Sequence, residues 1–304
     1  MSSSSAVHQS RTTHSRKSRR AAFPRTPEAH QTADSRSGSA IPQTLFADLL
    51  REVVSRPGII SEAYRAFHAF SLGNQILAAS QLLERDLPIA PIASFNAWKN
   101  KGRMVRKGAK ALRLFMPVTL RRKDRDEETG TEQEISFQSF LLKPHWFSLD
   151  QTEGESFNHE VKSPDWNSAI AMAALGIVET PFEMLDGNCQ GYAAENKVAI
   201  NPLAVLPHKT RFHEMAHVIL GHTAESPLHD DERTPRNVRE VEAESVAFIL
   251  CSLLDLPGQD EARGYVQVWL GDEPLAEKTA RRIFTAADKL LKAGQIKSEE
   301  IATE

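Results

Sequence analysis

The chain has 304 residues, 40% hydrophobic and 25% charged, with a formal net charge of −3, an ordinary soluble composition long enough for two modest domains and a tail. No run of about 18 uninterrupted apolar residues occurs, which excludes a membrane-spanning helix, and the N-terminal stretch lacks the apolar core of a secretory signal. Cys189 and Cys251 are far apart and form no C-x-x-C; they exclude a disulfide framework, point to a reducing, cytoplasmic setting, and read as small buried hydrophobes.

Residues 1–40, rich in Ser and Arg, read as a disordered basic tail; a transit peptide is the rival, weakened by the missing amphipathic periodicity. Helical spacing then predicts helices over 43–55, 61–70 and 72–85, the last with Leu72, Ile76, Ala79 and Leu83 on one face. Leu87 to Lys123 contains no acidic residue while cations accumulate, the pattern expected of a polyanion-binding surface or of a solvated face. Within "SFNAWKNKGRMVRKGAKAL", Phe95 and Trp98 are interleaved with Lys99, Lys101, Arg103, Arg106, Lys107 and Lys110. Aromatic faces stack on unpaired bases and cations neutralise phosphates, so these eight are candidate contacts to a single-stranded nucleic acid. Trp98 suits a core position equally well. The period next changes to two: 111–120 and 135–142 alternate as strands of a hairpin, joined by the charged loop 121–134. A first domain over 41–150 and a polar linker over 151–163 follow.

The second domain, 164–295, begins with a helix near 164–176. The extended run "KVAINP" (197–202) reads either as an edge strand able to pair with a substrate backbone or as plain sheet structure. In "TRFHEMAHVILGH", His213 and His217 lie four apart on one helix face and can share a metal ion. Glu214, turned about 100° round the helix, can reach water in the metal's open coordination position and serve as general base. Downstream, "TPRNVREVEAESVAFILCSLLDLPG" predicts a helix with Thr234 as N-cap, Pro235 at its first position and Pro257-Gly258 beyond its end. Glu240 and Glu244 share a face there, and like charges so placed need a cation. Glu240 is the expected third zinc ligand and Glu244 the acceptor that orients His213. Glu242 points elsewhere. His222, after Gly221, competes for the third place but reads as a surface or capping histidine; the longer H-E-x-x-H-x-x-G-x-x-H pattern fails because Leu220 and Thr223 occupy its Gly and His positions. The last helix, "AEKTARRIFTAADKLLKAG", puts Ile283, Ala287, Leu290 and Leu291 on one face and is expected to stop at Gly294 as a left-handed cap, before a tail over 296–304.

These segments carry a resemblance to a known family. "FHAFSLGNQILA", "SFNAWKNKGRMVRKGAKALRLFMPV" and "FSLDQTEG" resemble the N-terminal domain of the ArdC family of plasmid antirestriction proteins. "HEMAHVILGH" and "EVEAESVAF" resemble that family's zincin-like metallopeptidase domain and are similar to ImmA/IrrE-type peptidases. The resemblance covers roughly 45–295; the Ser/Arg tail and the long loop at 121–134 depart from the family pattern. It implies an α+β protein: a single-stranded-DNA-binding (ssDNA) domain of helices and a β-hairpin, then a mainly helical zincin-like domain with a small sheet. Zn2+ as cofactor, single-stranded DNA and a protein substrate as partners, and no membrane association go with it. The electrophile stays open among Tyr192, His208 and His222. Two functions remain: a DNA-tethered zinc protease with Glu214 as base, or a non-catalytic coat that shields DNA while zinc is structural.

Overall fold

A computed structural model describes residues 45–125, 132–159, 165–184, 188–223, 234–272 and 275–296. The basic tail, the centre of the hairpin loop (126–131), the linker residues 160–163 and the C-terminal tail beyond 296 lie outside the described residues. The fold is α+β, as expected.

Three helices open it: α1 (Leu45–Ser55), α2 (Ile59–Phe67) and α3 (Leu72–Leu83). Helix α1 buries one stripe of its surface, through Ala47, Leu49, Leu50, Val53 and Val54, whereas α3 is buried without a break from Leu72 to Ala79. A three-stranded sheet follows, in the order β1 (Ile92–Ser94), β4 (Glu132–Ser148), β3 (Leu112–Arg125). It docks on α3 through Asn74, whose amide donates to the Phe115 carbonyl at 3.1 Å and accepts the Phe115 N–H at 2.8 Å, as a neighbouring strand would. The β3–β4 pairing continues to Arg125↔Glu132, so most of the expected loop is strand. The charged sequence there does not break the extended backbone. Between β1 and β3 lie α4 (Phe95–Asn100) and β2 (Arg103–Val105); β2 pairs with β5 (Thr152–Gly154), which begins where the linker was expected.

The remaining elements are α5 (Ser168–Leu175), a sheet in the order β6 (Val178–Glu179), β8 (Lys197–Ile200), β7 (Gly191–Ala194), and helices α6 (Pro207–Ile219), α7 (Arg236–Leu253), α8 (Gln259–Asp272) and α9 (Glu277–Gly294). "KVAINP" thus supplies the central strand β8, flanked on both sides, and the edge beside α6 belongs to β7. Helix α7 is buried without a break from Val241 to Leu253 and forms the axis of this half. Its cap falls one residue later than expected, on Pro235. Gly294 also differs from expectation: the chain leaves α9 through an extended Gln295, with φ −62° and ψ 125°, and Gly294 is not left-handed. The glycine serves close approach, because a Cβ there would collide with the Trp166 indole.

The described residues from 45 to 296 fall in one compact unit. Helices α1, α2 and α3 pack on α7, α8 and α9. Glu277 on α9 accepts the N–H groups of Phe46 and Ala47 at 2.8 and 3.1 Å, and Asp288 accepts that of Leu72 at 3.3 Å. No described helix is long and apolar enough to cross a membrane.

Candidate metal centre and basic surface

Helix α6 starts at Pro207, whose missing N–H suits a first turn, and buries Phe212, Met215 and Ala216 against the core. That anchoring turns His213 and His217 toward α7. Their Nε2 atoms stand 3.1 Å apart, with Glu240 Oε2 of α7 at 3.4 Å from the first and 3.7 Å from the second. All three donor atoms lie within 4.8 Å of one another. With metal–nitrogen bonds of about 2.0–2.1 Å, tetrahedral ligands stand about 3.3–3.4 Å apart, so this donor set fits a small divalent ion.

The electrostatics fit as well. Glu244 Oε2 lies 3.0 Å from His213 Nδ1, and Lys209 Nζ lies 2.6 Å from the other Glu244 oxygen. A carboxylate at Nδ1 places the hydrogen there and leaves Nε2 with a lone pair facing Glu240. Lone pairs and carboxylate converging on one point require a positive charge, and a proton can supply it. Burial lowers the His213 pKa, but hydrogen bonds to Glu240 and Glu244 outweigh it and raise the group to about 9. Hydrogen bonds from His213 and His217 hold the Glu240 carboxyl well below the usual carboxylate range. Glu214 behaves oppositely: it is buried, and desolvation raises its pKa against the partial opposition of the two histidines. Gly191 on the edge strand lets α6 approach closely, since a Cβ there would collide with the Thr210 methyl at 2.7 Å and press on the Glu214 stem at 3.2 Å.

Three residues stand differently from the sequence reading. His222 is no surface histidine: its side chain is 3% exposed. Gly221, at φ +75°, closes a Schellman turn in which the His222 N–H donates to the His217 carbonyl and the Gly221 N–H to that of Val218. The His222 ring is thereby folded back onto α6, with Nδ1 3.0 Å from His217 Nδ1 and Nε2 2.8 Å from Glu242. Burial lowers its pKa, which the Glu242 hydrogen bond only partly offsets. Glu242, read as pointing elsewhere, is fully buried on this network. Tyr265 escaped the sequence reading altogether. Half exposed on α8, its phenol pKa is raised first by burial and then by the charges of Glu240 and Glu244. Among the earlier electrophile candidates, Tyr192 lies against Phe182, and His208 lines a cavity of about 280 Å³ that shares none of the three metal donors.

In the basic stretch, Trp98 is 1% exposed, donates its indole N–H to the Phe147 carbonyl at 2.8 Å and stands edge-on to Phe157. It is a core residue and offers no face to a base. Arg103 is turned inward too: Nε donates to Thr152 Oγ1 at 2.8 Å and Nη1 to the Glu155 carbonyl, which fastens β2 to β5. Phe95 and Met104, 45% and 48% exposed, remain at the surface with Lys99, Lys101, Arg106, Lys107 and Lys110, and Lys101 lies 5.3 Å above the Phe157 ring.

Fold and site together define an α+β protein with a two-histidine, one-glutamate candidate metal centre and an exposed basic stretch. Residues 55–142 match the family model described as the N-terminal domain of anti-restriction factor ArdC, the domain whose motifs this stretch resembles in sequence. The crystal structures of the antirestriction ArdC protein from the R388 plasmid are similar to this chain at 20% identity. The metal-free form has a TM-score of 0.48 and covers 83% of this chain and 94% of that one. The Mn(II)-bound form has a TM-score of 0.47 and covers 83% and 97%. No curated protein matches the chain.

Proposed function

We propose that the protein is an antirestriction protein of mobile elements that binds single-stranded DNA and carries a zinc-dependent peptidase centre. The observation that carries the reading is the meeting of His213, His217 and Glu240 around one point with a buried Glu214 alongside. His213, His217 and Glu240 would hold the ion, and Glu244 orients His213. Zinc in that position supplies Lewis acidity, lowering the pKa of water toward neutrality and polarising a carbonyl. Glu214, with its raised pKa, is suited to accept a proton from water and pass it to a leaving amine. The outer edge of β7 pairs with no described strand and is the place for an extended substrate backbone. Tyr265, whose phenol feels the charges of Glu240 and Glu244, would be the candidate hydrogen-bond donor to a developing oxyanion. The substrate class is a DNA-associated or regulatory protein, brought near by strands held on Phe95 and the surrounding cations. Stacking on Phe95 and contacts from Lys99, Lys101, Arg106, Lys107 and Lys110 to phosphates favour unpaired DNA over duplex.

Three donors among the described residues support a catalytic centre over a purely structural one, which normally takes four protein ligands. The test is Glu214→Gln in zinc-loaded form, scored for protein cleavage in the presence of single strands and for protection of DNA from nucleases. The variant should keep its zinc and its DNA binding and lose cleavage. Wild type that protects DNA, cleaves nothing, and is matched in protection by the variant would make the protein a non-catalytic coat.

A further inference from the structure

The turn after α6 sets beside the metal helix a buried row of polar groups that a His-Glu-x-x-His site does not by itself require. From its geometry we infer that His222, backed by Glu242 and Arg282, is a positioning residue that makes His217 a metal ligand by dictating which of its ring nitrogens carries the hydrogen. The inference rests on the reading of His213, His217 and Glu240 as a metal centre.

His217 presents Nε2 to His213 and Glu240, and Nδ1 to His222 Nδ1 at 3.0 Å. Two ring nitrogens at that distance share one hydrogen, so one donates and the other accepts. Glu242 decides which. A carboxylate only accepts, and Oε2 lies 2.8 Å from His222 Nε2, so that nitrogen carries a hydrogen. A neutral His222 then has its lone pair on Nδ1, and the shared hydrogen belongs to His217 Nδ1. His217 Nε2 is left with a lone pair aimed at the point where the other two donors meet. With the opposite polarity the hydrogen would sit on Nε2 and close that nitrogen to an ion. Glu244 sets His213 in one step; His217 reaches its carboxylate through an intervening imidazole.

The relay is enclosed and clamped. His222 and Glu242 side chains are 3% and 0% exposed. Arg282 of α9 stands 3.3 Å from Glu242 Oε1, an ion pair off the hydrogen-bond line, and its Nη2 donates to the Leu220 carbonyl at 2.7 Å. Arg239 of α7 donates to the His222 carbonyl at 3.3 Å. A buried carboxylate is expensive without such partners, so the chain Arg282, Glu242, His222 and His217 is held as a set.

Two measurements test it. In zinc-loaded wild type with 15N-labelled histidines, long-range proton–nitrogen spectra should show His213 and His217 with hydrogen on Nδ1, and His222 with hydrogen on Nε2. Hydrogen on His222 Nδ1 overturns the relay. Zinc affinity, measured by competition with a chromophoric chelator, should fall about 10–100-fold in His222→Leu. His222→Gln, whose amide oxygen can accept from His217 while its N–H donates to Glu242, should regain most of that affinity. Leu as tight as wild type, or Gln as weak as Leu, also overturns it. If His222→Leu does not fold, the wild-type spectrum decides alone. Failure of wild type to take up zinc removes the metal centre itself, whereas a zinc-loaded wild type with the opposite His222 tautomer removes only the relay.

Discussion

Without an ion, His213 holds a proton where a metal would sit, between Glu240 and Glu244. Its folded pKa, about 9, is raised above an unfolded value of about 6.5. The stability it contributes is therefore fully present below about pH 6.5 and lost as pH rises through about 9. Glu240 and Glu244 are depressed, so theirs is present above about pH 4.3 and lost as pH falls. Metal-free wild type, compared with metal-free His213→Ala by thermal unfolding, should lose its advantage between about pH 6.5 and 9.5; a constant difference across that window would contradict the pairing. The convergence of His213 and His217 was legible, because an i, i+4 spacing fixes a helix face whatever packs against it. His222 was not, since its burial depends on a turn that folds it back and on α7 and α9, remote in sequence. Trp98 misleads for the converse reason: its neighbours are cationic, yet its own ring is fixed by Phe147 and Phe157, about 50 positions downstream.

Among elements, α9 shows what periodicity can and cannot convey. Its apolar face was readable, and Ile283, Ala287, Leu290 and Leu291 are all buried. Its polar residues have roles that no local pattern announces, as Glu277 caps α1, Asp288 reaches the first turn of α3, and Arg282 braces Glu242. The first two tie the opening helices to α9 across the stretch 151–163. Glu277→Ala, which strips the cap from α1, should lower unfolding free energy by about 0.5–2 kcal/mol in urea titrations, typical of removing an N-cap. An unchanged midpoint and slope would mean that the bond contributes nothing. The hairpin strands were recognised by alternation and cut short by charge. The sheet at α6 was read from one strand, and only its neighbours reveal which edge is open.

For the whole molecule, an acid-free basic stretch and a cluster of metal donors belong to one body. Neutralising Arg106, Lys107 and Lys110 together should weaken binding to single strands of every sequence and flatten its salt dependence, by about 0.7 in the log–log slope for each phosphate no longer neutralised. Unchanged affinity and slope would make this face an ordinary solvated surface. The metal centre should be indifferent to that change, because none of the three cations touches it. Everything proposed for catalysis depends on the ion. The most direct test is the zinc content and zinc affinity of gently purified protein, wild type against His213→Ala and Glu240→Ala. About one zinc per chain is expected in wild type, with a marked decrease in both variants. Wild type that arrives empty and takes up no zinc on titration would contradict the central claim.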